Sequence, residues 1–179
     1  MATSSSLALT SHRHAVPCAN GLRLSNRKGR ALDYVLTVKR FEELTVDELY
    51  AIMKLRIDVF VVEQACAYPE LDGLDRQSTH VFYLDGDGLI VAYLRVFERA
   101  GEPGTMQIGR VIAAERGSGM GRRIMEAGLD VCRAVPGSQE AYLEAQVYAR
   151  GFYERLGFAA CSEEFDEDGI SHIAMRRAL

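Results

Sequence analysis

An apolar run, Ile108 to Ala113, leads through Ala114-Glu115 into Arg116-Gly117-Ser118-Gly119-Met120-Gly121, and apolar side chains then recur at helical spacing. A chain with this order passes from a strand through a glycine turn into a helix start. Glycines let backbone N–H groups converge without Cβ obstruction, and the first turn of a helix leaves its amide donors open to an anion. Arg116, Arg122 and Arg123 add fixed positive charge. The layout predicts a phosphate cradle, best matched to a pyrophosphate.

What the segment lacks narrows the carrier. A nucleoside-triphosphate loop needs a Lys-Ser/Thr pair after its last glycine, and Gly121 is followed by Arg122-Arg123. A dinucleotide loop needs G-x-G-x-x-G, but counting from Gly117 or Gly119 the last glycine falls on Arg122 or Ile124. The pattern Arg-x-x-Gly-x-Gly between strand and helix resembles the coenzyme A pyrophosphate loop of the GNAT acyltransferases. Gln146-Val147-Tyr148-Ala149-Arg150-Gly151-Phe152-Tyr153 with Leu156-Gly157-Phe158 resembles the later motif of that family, with Gln146 in place of the usual Asn. Leu55-Arg56-Ile57-Asp58-Val59-Phe60 with Glu63-Gln64, Tyr68-Pro69, Asp72-Gly73-Leu74-Asp75, His80, Ala92 to Val96, Gly109 to Ile112 and Glu167 to Ile173 resemble ElaA-type members. Together these matches run from about Tyr34 to the end of the chain.

The resemblance implies an α/β fold of the α+β type: a mixed, centrally antiparallel, splayed sheet covered by helices. It implies an N-acetyltransferase that moves an acetyl group from acetyl-CoA to a small-molecule or peptide amine by direct attack on the thioester, without a metal. Tyr153 would protonate the leaving thiolate. Backbone groups of Val111, Ile112 and Ala113 would pair with the pantetheine arm, and Gly117, Ser118, Gly119, Met120, Gly121 and Arg122 would hold the phosphates, with Arg116 supporting the loop and Gln146 also among the cofactor-binding residues. Arg56, Glu63, Asp72, His80, Arg95, Arg110 and His172 are the polar residues that would line an acceptor pocket. Glu63 and Glu144 are candidate bases, whereas Asp75, Arg76 and Glu154 read as solvated. A non-catalytic acyl-CoA sensor and a partner-binding scaffold are the alternatives, since fold alone does not fix function.

The 179 residues suit one domain, with residues 1–32 set apart. That stretch contains no Asp or Glu but five Arg and Lys residues, Arg13 to Arg30, and a serine-rich start, which reads as disordered or as an organelle transit segment. The domain is expected over residues 33–179. A net charge of −4 gives no electrostatic footprint for nucleic acid, and no apolar run reaches membrane-spanning length. Cys18, Cys66, Cys132 and Cys161 are scattered without a C-x-x-C pair, which fits reduced thiols in a cytoplasmic setting, or in a plastid or mitochondrion if the leader directs import. The oligomeric state, a homodimer included, stays open.

Local signals mark the elements. Tyr34 to Phe41 alternates like a strand, and Thr45-Val46-Asp47-Glu48 reads as a capping box. In the helix that follows, Leu49, Ile52, Met53, Arg56, Val59 and Phe60 share one face, which places a cation among apolar neighbours. Such a charge needs a carboxylate or a polar cavity, with Glu63 and Asp72 as the expected partners, unless the stem packs while the head snorkels to water. Asp85-Gly86-Asp87-Gly88 suits a hairpin, Ala141 to Ala145 a strand, and Ala149 to Leu156 a short helix ended by Gly157. Phe158 to Ser162 and Ile170 to Met175 are expected to close the sheet around Asp168-Gly169.

Overall fold

Strand alternation in the middle of the chain sends two sets of side chains to opposite faces of one sheet. The computed structural model describes residues 22–25 and 31–179 apart from Arg116, with side chains from Tyr34 onward. Strands β1 (Leu22–Ser25) and β2 (Ala31–Arg40) are followed by helix α1 (Val46–Arg56), then β3 (Thr79–Leu84), β4 (Ile90–Glu98) and β5 (Thr105–Ala113). Helix α2 (Met120–Ala134), β6 (Glu140–Gln146), the short helix α3 (Arg150–Glu154), β7 (Ala159–Ala160), β8 (Phe165–Glu167) and β9 (Ile170–Ala178) complete it. The sheet order is β1-β2-β3-β4-β5-β6-β9-β7, with β8 also on β9; β5 and β6 run parallel and the other pairs antiparallel.

β3 and β4 meet in the register His80↔Arg95 and Phe82↔Tyr93, so these four side chains share a face. Phe82 and Tyr93 pack there against Ile52 of α1. Val81, Tyr83, Ala92, Leu94 and Val96 take the other face, against Met120, Ile124, Ala127 and Val131 of α2. Two features hold the helices in place. Thr45 caps α1 as its sequence predicts, accepting from the Glu48 amide at 3.1 Å while Glu48 accepts from the Thr45 amide at 2.8 Å. Gly128 lets α2 approach β4 closely, because a Cβ there would stand 2.8 Å from Leu94 Cδ2. Gly128→Val is therefore expected to overpack the interface and destabilise the fold by about 1–3 kcal/mol, read as a lower urea midpoint at unchanged m-value.

Three expectations are corrected. The sheet begins upstream of Asp33, because Leu22–Ser25 pair with Ala31 to Tyr34; the remainder of the leader lies outside the described residues. Helix α1 does not continue regularly through Phe60. Ile57–Glu63 wind in wider π-type turns that end at Gln64. The Asp168-Gly169 turn, with φ of 54° and 83°, joins β8 to β9, and the Phe158 to Ser162 stretch contributes only Ala159 and Ala160 to the sheet.

Candidate active site

β5 and β6 pair only over Thr105–Gln107 and Glu140–Tyr142, after which the two parallel strands part. The gap opens a cavity of about 590 Å³, walled by β5 from Gln107 to Ala113 and by Leu143, Glu144 and Gln146 of β6. One residue too many on β5 shapes this wall. Tyr93 faces Ile112 while Arg95 faces Gly109, so Arg110 and Val111 together oppose Leu94 in a β-bulge, with Arg110 at φ 55°. Beyond the bulge the Ala114 amide is spent on the Val91 carbonyl at 2.9 Å. Alternation along an antiparallel ladder then turns the Ala113 N–H and C=O to the open side and those of Ile112 toward Tyr93. Val111, Ile112 and Ala113 all line the cavity. A slender chain with amide groups fits this edge as an added strand would.

The glycine turn stands beyond Ala114, outside the cavity wall. Gly117 and Gly119 have φ of 78° and 83°, the left-handed region that a side chain disfavours, and Gly119 precedes the first residue of α2. Ser118 is organised within the turn: its hydroxyl donates to the Glu115 carbonyl at 2.7 Å and accepts from the Met120 amide at 3.3 Å. The Met120 amide is thereby occupied, and the donors that a helix start leaves for an anion are those of its neighbours, Gly121 and Arg122. A Cβ on Gly121 would lie 3.6 Å from Phe152 and 3.8 Å from Ala113, which shows how closely the helix start, β5 and α3 converge. Arg122 pairs with Glu126 at 2.7 Å. Arg116 lies outside the described residues.

Tyr153 reaches the same cavity from α3. Gly157, at φ 84°, ends the turn that carries it, and edge-on contacts to Phe152 and Phe158 at 5.0 and 6.1 Å fix the ring. Burial raises the Tyr153 pKa well above that of a free phenol, so the hydroxyl stays protonated at neutral pH.

The polar residues expected to form an acceptor pocket separate into two layers. Asp72, Arg95 and Arg110 line the cavity, as do Glu63 and His172. Arg56 and His80 do not; both are fully buried beneath it. Arg56 donates through Nε to Glu70, through Nη1 to Asp75 at 2.5 Å and through Nη2 to the Glu70 carbonyl at 3.1 Å. Its partners are thus Glu70 and Asp75, and not the expected Glu63 and Asp72, because Ile57–Glu63 carry Glu63 on toward the cavity. Arg95 bridges Asp72 and Asp75, and Arg110 reaches Glu70 at 2.7 Å and Asp72 at 3.2 Å. Three arginines meet three carboxylates with matched charge, and the Tyr68 hydroxyl also donates to Glu70. Asp75, read from sequence as solvated, is 7% exposed. Glu70 escaped notice because it sits in an aperiodic stretch; the only local hint was its place next to Tyr68-Pro69.

His80 is a structural residue here. A carbonyl can only accept, so Nε2–H donates to the Asp75 carbonyl at 3.1 Å, and Nδ1 accepts from the Tyr93 hydroxyl at 2.8 Å. Both ring nitrogens are spent and neither faces substrate. Burial depresses its pKa, so folded protein holds it neutral while the unfolded chain binds a proton more readily. For Asp72, burial acts to raise the pKa, but hydrogen bonds from Arg95 and the Leu74 amide and the charges of Arg95 and Arg110 outweigh it and hold the value at about 2. Stability is therefore expected to fall in two stages on acidification, first below about pH 6.5 as unfolded His80 protonates, then below about pH 4 as carboxylates do. Melting temperatures across pH 7 to 3 check this, and His80→Gln should flatten the first stage only.

Similarity to known proteins agrees with this geometry. Residues 51–179 match the acetyltransferase (GNAT) domain family. The chain belongs to the GNAT acetyltransferase family. ElaA of Escherichia coli K12 is 40% identical over 141 residues, covering 76% of this chain and 92% of ElaA. The ElaA crystal structure superposes with a TM-score of 0.74 at 36% identity, over 80% of this chain and 99% of that one. An acyl-CoA N-acyltransferase from Pseudomonas aeruginosa superposes with a TM-score of 0.75 at 42% identity, over 81% and 99%. A UPF0039 protein of Schizosaccharomyces pombe is 41% identical over 144 residues, 79% of this chain and 95% of its own. As a GNAT member the protein is an acyltransferase, and the family draws its acyl group from an acyl-CoA. Among the described residues no group of three or more His, Cys, Asp or Glu side chains could hold a metal ion, and no helix is long and apolar enough to cross a membrane.

Proposed function

We propose that this protein transfers an acetyl group from acetyl-CoA to a primary amine, free or at a peptide, by direct attack of the amine on the thioester. The observation that carries this is the parting of β5 from β6, which puts the open amide edge at Ala113 and the protonated Tyr153 in one cavity. With the diphosphate on the turn at Gly117 to Arg122, the pantetheine arm adds to β5 and its sulfur comes to Tyr153. Holding both reactants in place can supply about 7–11 kcal/mol of a two-substrate barrier, which leaves little need for a covalent enzyme intermediate. Asp72, Arg95 and Arg110 form the polar end that receives the acceptor. A reducing compartment such as the cytoplasm suits the free thiols of Cys66, Cys132 and Cys161.

Calorimetric titration with coenzyme A, followed by thiol release from acetyl-CoA across a panel of primary amines, tests the reading. Saturable binding and amine-dependent release are expected. Binding without release by any amine would make the protein an acyl-CoA sensor, and absence of binding would leave the fold as a scaffold only.

A further inference from the structure

We propose that His172 is the base that removes the acceptor's proton, an inference that rests on the transferase reading above. Its ring is 11% exposed and lines the cavity that Tyr153 also lines. Its Nδ1 lies 2.8 Å from the Ile170 carbonyl, which can only accept, so Nδ1 carries the hydrogen and the neutral ring keeps its lone pair on Nε2. This is the reverse of His80, where both nitrogens are committed. The ring is held by stacking on Phe165 at 6.1 Å and 26°, and His172 sits directly opposite Gln146 in the β6–β9 register, at the mouth of the splay where β6 ends.

The surroundings suit a cation formed in turnover. Glu167 on β8 stands 3.8 Å from Nδ1, and Asp168 on the following turn, Glu144 on β6 and Glu63 beyond α1 add carboxylates around the same cavity. The cations that face it, Arg95 on β4 and Arg110 on β5, are matched by Glu70, Asp72 and Asp75. Of the carboxylates, Glu144 already accepts from the Tyr142 hydroxyl at 2.7 Å. Imidazole is in general a stronger base than a carboxylate by about a hundredfold.

The protons balance. The bound ammonium gives one proton to Nε2, and the freed nitrogen lone pair forms the C–N bond while the C–S bond breaks. Tyr153 protonates the departing sulfur, and the proton that nitrogen sheds as the amide forms restores the phenol through water. His172 passes its proton to bulk solvent, so one proton is released per turnover, as conversion of an ammonium and a thioester to an amide and a thiol requires.

The test uses acetyl-CoA with two probes, Nα-acetyl-lysinamide, whose amine titrates at about 10.4, and alanyl-alaninamide, whose amine titrates at about 7.8. His172→Asn and His172→Gln should lower thiol release from the lysine probe by about 10²-fold or more, with coenzyme A affinity unchanged. The loss should be smaller for the dipeptide, which is already partly neutral, and added imidazole should restore part of the rate. Turnover within twofold of wild type in either variant would overturn the assignment and leave the transferase reading standing. No thiol release by wild-type protein with either amine would remove both.

Discussion

Arg56→Ala is expected to cost about 3–5 kcal/mol of stability, the largest effect of any single substitution in the charge layer beneath the cavity. The variant leaves the Glu70 and Asp75 carboxylates buried, at 4% and 9% side-chain exposure, with a matched cation removed. Arg110 still reaches Glu70 and Arg95 still reaches Asp75, which keeps the loss within that range. For a chain of this length the melting midpoint should fall by about 6–20 °C. Arg56→Lys should recover part of the loss, because an ammonium restores charge but not the fork that serves Glu70 Oε1, Asp75 Oδ1 and the Glu70 carbonyl together. A midpoint within about 2 °C of wild type in Arg56→Ala would mean that the layer carries no such stability.

Tyr153→Phe is expected to lower turnover by about 10²-fold or more while leaving coenzyme A affinity unchanged. The ring contacts with Phe152 and Phe158 persist in the variant, so the packing of α3 is retained and only the proton donor is lost. Binding energy drawn from the glycine turn and the β5 edge does not pass through this hydroxyl. Thiol release and calorimetry on the same sample separate the two quantities. Undiminished turnover would take the role of acid away from Tyr153, and a matching loss of affinity would make it a packing residue.

The parts of the site that were legible from sequence are those written in neighbouring residues. The glycine turn, the Thr45 cap, the Asp85 to Gly88 hairpin and the Gly157 stop each depend on a backbone conformation that a short run of residue types specifies. The Tyr153 position follows from one of them. Residues whose role comes from distant partners were read less well. Arg56 declared itself by breaking an apolar face, yet its partners, Glu70 and Asp75, lie in segments without periodicity whose burial is a tertiary property. His80 and His172 looked alike in sequence and are opposites in structure, because tautomer and exposure are set by Asp75, Tyr93 and Ile170. The β5 bulge at Arg110 and the parting of β5 from β6 are relations between strands, and no local pattern announced either.

The most direct measurement is a crystal structure of the protein with acetyl-CoA. The diphosphate should sit on the amides of the turn at Gly117 to Arg122, the pantetheine arm should pair with the open edge at Ala113, and the thioester sulfur should lie within hydrogen-bonding reach of the Tyr153 hydroxyl. An empty splay at saturating acetyl-CoA, or a thioester held away from Tyr153, would contradict the account.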